Sequence, residues 1–186
     1  MKKLEALRFV DILETGEDVQ MRVREWRNQQ NIRRYMYTDH VISDAEHRRW
    51  LEGLRGNDSV RVFVVFFEDQ PVGVVSLNAI DRRHRKADWA FYLKEGLRGL
   101  GLGSRVEYQL IELAFGEFGL EKLNCEVLAT NPSVIRLHKK FGFVEEGVRR
   151  GNVIKDGERV DVCLLGLLAA EWPAARERVE KVLRGR

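Results

Sequence analysis

Helices that alternate with strands, hairpins at both ends of the strand series, and a glycine-rich loop between a strand and a helix predict a mixed α/β (α+β) fold. Its sheet would be twisted, mostly antiparallel and flanked by helices. Taken in order, Asp18 can cap a first helix carrying Val19, Val23 and Trp26 on one side. A loop, NIRRYMYTDHVI, follows. Ser43 and Glu46 then form a capping box for a second helix with Trp50, Leu51 and Leu54 on its apolar side. VRVFVVFF is a near-continuous apolar run, as in a strand buried on both faces, and VGVVSLNAI returns antiparallel after a turn at Glu68–Pro71. ADWAFYL is the next strand and feeds LRGLGLGS. Gly103–Phe118 reads as a long amphipathic helix with Val106, Leu110, Ala114 and Phe118 on its stripe. LNCEVLAT alternates as a strand, and Asn131-Pro132 opens a short helix that Gly142 ends. A hairpin turning at Asp156-Gly157 and a closing helix with Val179, Val182 and Leu183 complete the chain.

The chain of 186 residues, 44% of them hydrophobic, is long enough to bury a core and is expected to be one domain over residues 1–186. No apolar run approaches the ~20 residues that cross a membrane. Acids interrupt the amino-terminal apolar stretch, which makes it a poor signal peptide, and Cys125 and Cys163 read as reduced core thiols. A cytoplasmic protein is expected. A net charge of +3 suits an anionic ligand and is too mild to imply nucleic acid. The basic cluster Arg82–Lys86 lacks interleaved aromatic residues, so it reads as a solvated turn. Neither a nucleic-acid nor a membrane partner is expected.

The loop LRGLGLGS decides the chemistry. A dinucleotide fingerprint needs G-x-G-x-x-G, and the series from Gly101 meets Val106 where the third glycine belongs. A Walker loop needs a lysine that Gly103-Ser104 lacks. What remains is R-x-x-G-x-G, Arg98 through Gly103. Unpaired N–H groups at a helix start, beside residues without a β-carbon, form a seat for a pyrophosphate, and Arg98 can add charge-assisted hydrogen bonds.

RGLGLGS, its helix, LNCEVLAT and NPSVIRLHKKFGF, in that order, resemble the GNAT superfamily of acetyl-CoA-dependent N-acetyltransferases over roughly Leu7 to Leu168. The resemblance implies the GNAT acyl-CoA N-acyltransferase fold, acetyl-CoA as co-substrate and no metal. It places the backbone of Leu93 on the pantetheine arm and Arg98, Gly99, Gly101, Gly103 and Ser104 around the pyrophosphate. Asn131 matches the asparagine beside the cofactor arm and also suits a helix cap. Lys140 can reach a cofactor phosphate or simply be solvated. His138 stands where the family usually has a tyrosine that protonates the departing thiolate. A phenol keeps its proton at neutral pH, whereas a free imidazole mostly does not. His138 is expected either to protonate the coenzyme sulfur or merely to pack.

The amino-terminal half resembles the PseH-type enzymes of pseudaminic acid biosynthesis, in VREWRNQQNIRRYMYTDHVISDAEHRRWLEGL and GVRRGNVIKDGERVDV. That resemblance implies transfer to the 4-amino group of a UDP-linked aminodideoxysugar. Arg33, Met36, Tyr37 and His40 would contact it, in a loop that mixes cations with aromatic and apolar groups. Protein amino-terminal and polyamine N-acetyltransferases are the alternatives, and a non-catalytic acetyl-CoA-binding module is another. A polyamine site wants clustered carboxylates, and this loop has only Asp39. Direct transfer is expected, with backbone N–H groups near Phe91–Leu93 holding the thioester carbonyl. Glu126 would act as base through a water, or else face solvent or pair with an arginine. Trp89 reads as core. A homodimer is one option for the assembly.

Overall fold

The computed structural model describes residues 7–97 and 100–184, with the side chain of Arg184 excluded. Seven strands form one sheet in the order β1-β2-β3-β4-β5-β7-β6. They are β1 (Arg8–Asp11), β2 (Arg61–Phe67), β3 (Gln70–Asp81), β4 (Lys86–Leu93), β5 (Lys122–Leu128), β6 (Val144–Lys155) and β7 (Glu158–Leu168). Every neighbouring pair is antiparallel except β4 and β5. The helices are α1 (Glu17–Asn28), α2 (Gln30–Arg33), α3 (Asp44–Leu54), α4 (Leu102–Glu112), α5 (Pro132–Lys140) and α6 (Trp172–Arg184). This is the mixed, mostly antiparallel arrangement that the sequence predicts.

The two faces of the sheet carry separate cores. On one, Ile12, Val23, Trp26, Leu51, Val62, Val64 and Val74 pack α1 and α3 against β2 and β3. On the other, Val75, Leu77, Trp89, Leu123, Cys125 and Leu165 meet α4 and α6 through Val106, Leu110, Ile111 and Val179. Strand parity sorts the side chains. Trp89 and Phe91 belong to the α4 side and Tyr92 to the α1 side. Cys125 and Cys163 are free and buried, as expected of core thiols.

Several local signals act as read. Ser43 and Glu46 make the full capping box. Asp156 and Gly157 take φ values of 50° and 85° at the hairpin turn, and Gly142 ends α5 at φ 96°. Others differ. α1 starts after Gly16, two residues before the position that a cap at Asp18 requires, so Asp18 joins Glu17 in the first turn, where the helix dipole favours acids. The loop after α1 contains the single helical turn α2. On α3, Trp50 is 40% exposed while His47 is buried, its Nε2 bonded to the Gln20 carbonyl at 2.8 Å. A long helix from Gly103 holds as far as Glu112, and a π-helical turn over Leu113–Glu117 completes it. On α6, Val182 faces solvent.

Candidate active site

The site begins where the sheet opens. β4 and β5 pair only at Lys86–Asp88 with Lys122–Asn124, and beyond that point the strands part. Lys94 N–H donates to Val72 O, which fixes the even-numbered residues of β4 as those that bond β3. The backbone groups of Trp89, Phe91 and Leu93 therefore turn toward the gap. Gly73 lets β3 close on that segment, since a β-carbon there would lie 2.4 Å from Tyr92 O and 2.6 Å from Leu93 Cδ2.

On the α4 side of the gap stands the glycine loop. Gly101 caps α4 in the left-handed region, φ 68°, which a residue with a β-carbon enters only under strain. Gly103 and Ser104 occupy the first turn, where N–H groups lack helical partners. Arg98 and Gly99, the other residues assigned to the pyrophosphate, lie outside the described residues. The nearest atoms to a β-carbon on Gly103 would be those of Leu137 and Phe91, at 3.8 Å, which is ordinary contact. The fold thus does not need glycine at 103, whereas a phosphate seated on the loop would. Gly103→Ala is expected to leave stability within about 1 kcal/mol of wild type, alanine being the better helix former. It should weaken acetyl-CoA binding about tenfold, read by thermal melts and calorimetric titration side by side.

α5 lies beside the loop through Leu137. Asn131 is its N-cap residue, but its side chain does not cap: Oδ1 accepts the Ser133 hydroxyl at 3.0 Å. Lys140 is exposed, one turn after Leu137. His138 is buried, 3% exposed, against the rings of Trp89, Phe91 and Phe143. Its Nδ1 is hydrogen-bonded to Glu107 Oε1 on α4 at 2.8 Å. Glu107 is fully buried, and burial pushes its carboxyl above the usual carboxylate range, against the opposing pull of His138. Trp89 stacks on Phe91 with ring centroids 5.7 Å apart and is core, as read.

On the α1 side, Asn124 bonds Asp88 across the narrow end of the gap, and Glu126, two residues on, shares that face. Arg149 of β6 donates to Glu126 Oε1 at 2.5 Å, and the Tyr37 hydroxyl donates to Oε2. Burial first, then the bond to Glu126, pushes the Tyr37 phenol up to about 12, so it stays a donor at neutral pH. Of the four loop residues assigned to substrate, only Tyr37 reaches Glu126. Arg33 Nη1 donates to the Asp39 carbonyl, and His40 is bonded to Glu46, the capping-box carboxylate. Met36 packs into the α1-side core. Loop geometry absorbs those three.

Sequence reading missed Glu107, Arg149 and Gly73. For Glu107 a signal existed. It falls four residues before Ile111 on a helix whose neighbouring positions 106 and 110 are apolar, which puts a carboxylate on a buried face. Arg149 and Gly73 gain meaning only from strand pairing, which spacing along the chain does not reveal. Among the described residues there is no group of three or more His, Cys, Asp or Glu side chains arranged to hold a metal ion, and no helix long and apolar enough to cross a membrane.

A parted parallel strand pair with a glycine-capped helix on one side is consistent with an acyl-CoA N-acyltransferase fold. The model of the GNAT acetyltransferase domain matches residues 12–144, and the chain belongs to that family, an acetyl-CoA-dependent acyltransferase class. The solved structure of a spermidine N-acetyltransferase from Vibrio cholerae, in complex with CoA and spermine, superimposes with a TM-score of 0.83 at 22% identity, covering 90% of this chain and 98% of that one. The chain is 26% identical over 125 residues to spermidine N(1)-acetyltransferase of Escherichia coli K12, which is 67% of each chain. It is also 26% identical over 119 residues to acetyltransferase PseH of Campylobacter jejuni, covering 64% of this chain and 73% of that one.

The expected UDP-aminosugar acceptor is therefore corrected. Sequence identity does not single out the PseH-type branch, and the similar solved structures include repeated spermidine N-acetyltransferases. The cations that suggested a nucleotide-sugar are also committed elsewhere. Arg33 holds its own loop through the Asp39 carbonyl, and His40 is bonded to Glu46.

Proposed function

We propose that this chain is an acetyl-CoA-dependent N-acetyltransferase whose acceptor is a primary amine of an aliphatic polyamine. The observation that carries the reading is Glu126, a carboxylate capped by the Tyr37 phenol on the face of the gap opposite the glycine loop. An alkylammonium suits that pair by taking the place of the half-exposed Arg149 guanidinium on Glu126, since the carboxylate attracts its charge and an aromatic face attracts a cation. The loop alone shows too few acids for a polyamine. The missing one comes from β5, 89 residues away in sequence from Tyr37. The similarity to spermidine N-acetyltransferases supports the same acceptor class.

In this reading the pantetheine arm lies along the exposed backbone of Trp89–Leu93, and N–H groups there polarise the thioester carbonyl. Gly101, Gly103 and Ser104 seat the pyrophosphate at the start of α4, and Asn131 and Lys140 flank the arm and a phosphate. Glu126 takes the ammonium proton through a water, and the free amine attacks the carbonyl. His138 protonates the departing sulfur. Coenzyme A release measured with spermidine, a short peptide and a UDP-aminosugar, each at saturating acetyl-CoA, tests the proposal. Spermidine is expected to give the highest kcat/KM. Turnover of the peptide alone would overturn the acceptor class, and none with any amine would favour a binding module.

A further inference from the structure

The mechanism leaves one difficulty, because an isolated imidazole is mostly neutral at the pH where a thiolate must be protonated. The buried contact between α4 and α5 bears on this. Glu107 Oε1 and His138 Nδ1 are 2.8 Å apart, with side chains 0% and 4% exposed. Glu107 Oε2 has no hydrogen-bond partner among the described residues. A buried carboxylate with one unpaired oxygen is costly when ionised, unless the pair as a whole is neutral. The other titratable group facing Glu107 is the Cys125 thiol of β5, which burial pushes up and keeps neutral. β4 contributes only the rings of Trp89 and Phe91 around His138.

We infer that Glu107 is a positioning residue that turns His138 into a competent acid by holding the ring through Nδ1 and sharing a proton with it, so that the two act as one donor through Nε2. This rests on the acyl-transfer reading above. In the loaded pair Glu107 carries a proton that it donates to Nδ1, and His138 carries one on Nε2. The pair is then neutral overall, the form a dry site favours. As the carbon–sulfur bond breaks, its electron pair stays on sulfur and the Nε2 proton passes to it, giving the thiol of coenzyme A. The Glu107 proton moves to Nδ1. That leaves a carboxylate beside a neutral imidazole, which regains one proton from the solvent that received the ammonium proton.

The test uses the full chain with spermidine and acetyl-CoA, comparing wild type with Glu107→Gln and Glu107→Asp. Glutamine preserves shape and a hydrogen bond but cannot share an ionisable proton. The expected result is a kcat loss of about 10–100-fold in Glu107→Gln, with acetyl-CoA affinity within about threefold. The alkaline fall of its kcat profile should move toward lower pH by about one unit, because the ring must then carry its charge alone. Aspartate should restore part of both. Nitrogen-15 spectra of labelled histidine read the Nδ1 hydrogen bond of His138 without any acceptor, and the Nδ1 signal should differ between wild type and Glu107→Gln, because an amide N–H replaces the shared carboxyl proton. An unshifted pH profile and an unchanged Nδ1 signal would overturn the inference, including where kcat falls only with stability. If spermidine is not turned over by wild type, the acceptor reading fails separately and the spectra still decide.

Discussion

Glu126→Gln should lower kcat/KM for spermidine by about 10²–10⁴-fold while acetyl-CoA affinity stays within about twofold. The substitution is clean because glutamine can still accept hydrogen bonds through Oε1, so contact with either Tyr37 or Arg149 survives. What disappears is the ability to take a proton. The ion pair with Arg149 is half-exposed on its arginine side, and such pairs add little to stability, so the melt should barely move. Steady-state rates across pH separate base from bystander. Equal kcat/KM for the two proteins at every pH would show that Glu126 only anchors Tyr37 and Arg149.

Gly73→Ala should be the most damaging small change on the cofactor side. The added carbon would lie 2.4 Å from Tyr92 O, 2.6 Å from Leu93 Cδ2 and 3.0 Å from Leu93 Cα. Two of these are backbone atoms, so a rotamer change cannot relieve the clash, and β4 must move away from β3. Overpacking of this kind costs about 1–3 kcal/mol. The displaced segment is the one whose N–H groups turn toward the gap, so acetyl-CoA binding should weaken about tenfold as well. Thermal melts and calorimetric titration report the two effects independently. An unchanged affinity in a destabilised protein would mean that the backbone of Leu93 does not hold the coenzyme.

The contrast between Gly73 and Gly103 shows what a sequence reveals and what it hides. Gly103 sits in a recognisable string, and its environment can be reasoned from the helix start that follows. Gly73 sits in VGVVSLNAI like any strand glycine, and only the register Gly73↔Leu93 shows what it is close to. The capping box at Ser43 and the turn at Asp156-Gly157 were legible because each depends on residues within four positions. Spacing puts Trp50 on the apolar side of α3, yet it is 40% exposed while His47 is buried, because spacing alone does not rank positions near the edge of an apolar arc. Tyr37 and Glu126 were each named, yet their contact was not, since it depends on how the loop before α3 folds back over β5. The Glu107–His138 pair is hidden because an apolar stripe names only Val106, Leu110, Ala114 and Phe118, and the partner of an acid beside it lies on another helix.

The parting of β4 from β5 makes the sheet a partition with a single slot. With coenzyme and amine placed as proposed, each approaches from its own side and they meet at the opening without exchanging places. In that arrangement neither has to depart before the other arrives, and the acetyl group needs no temporary lodging on the protein. Both thiols that might have offered one are sealed inside the wall.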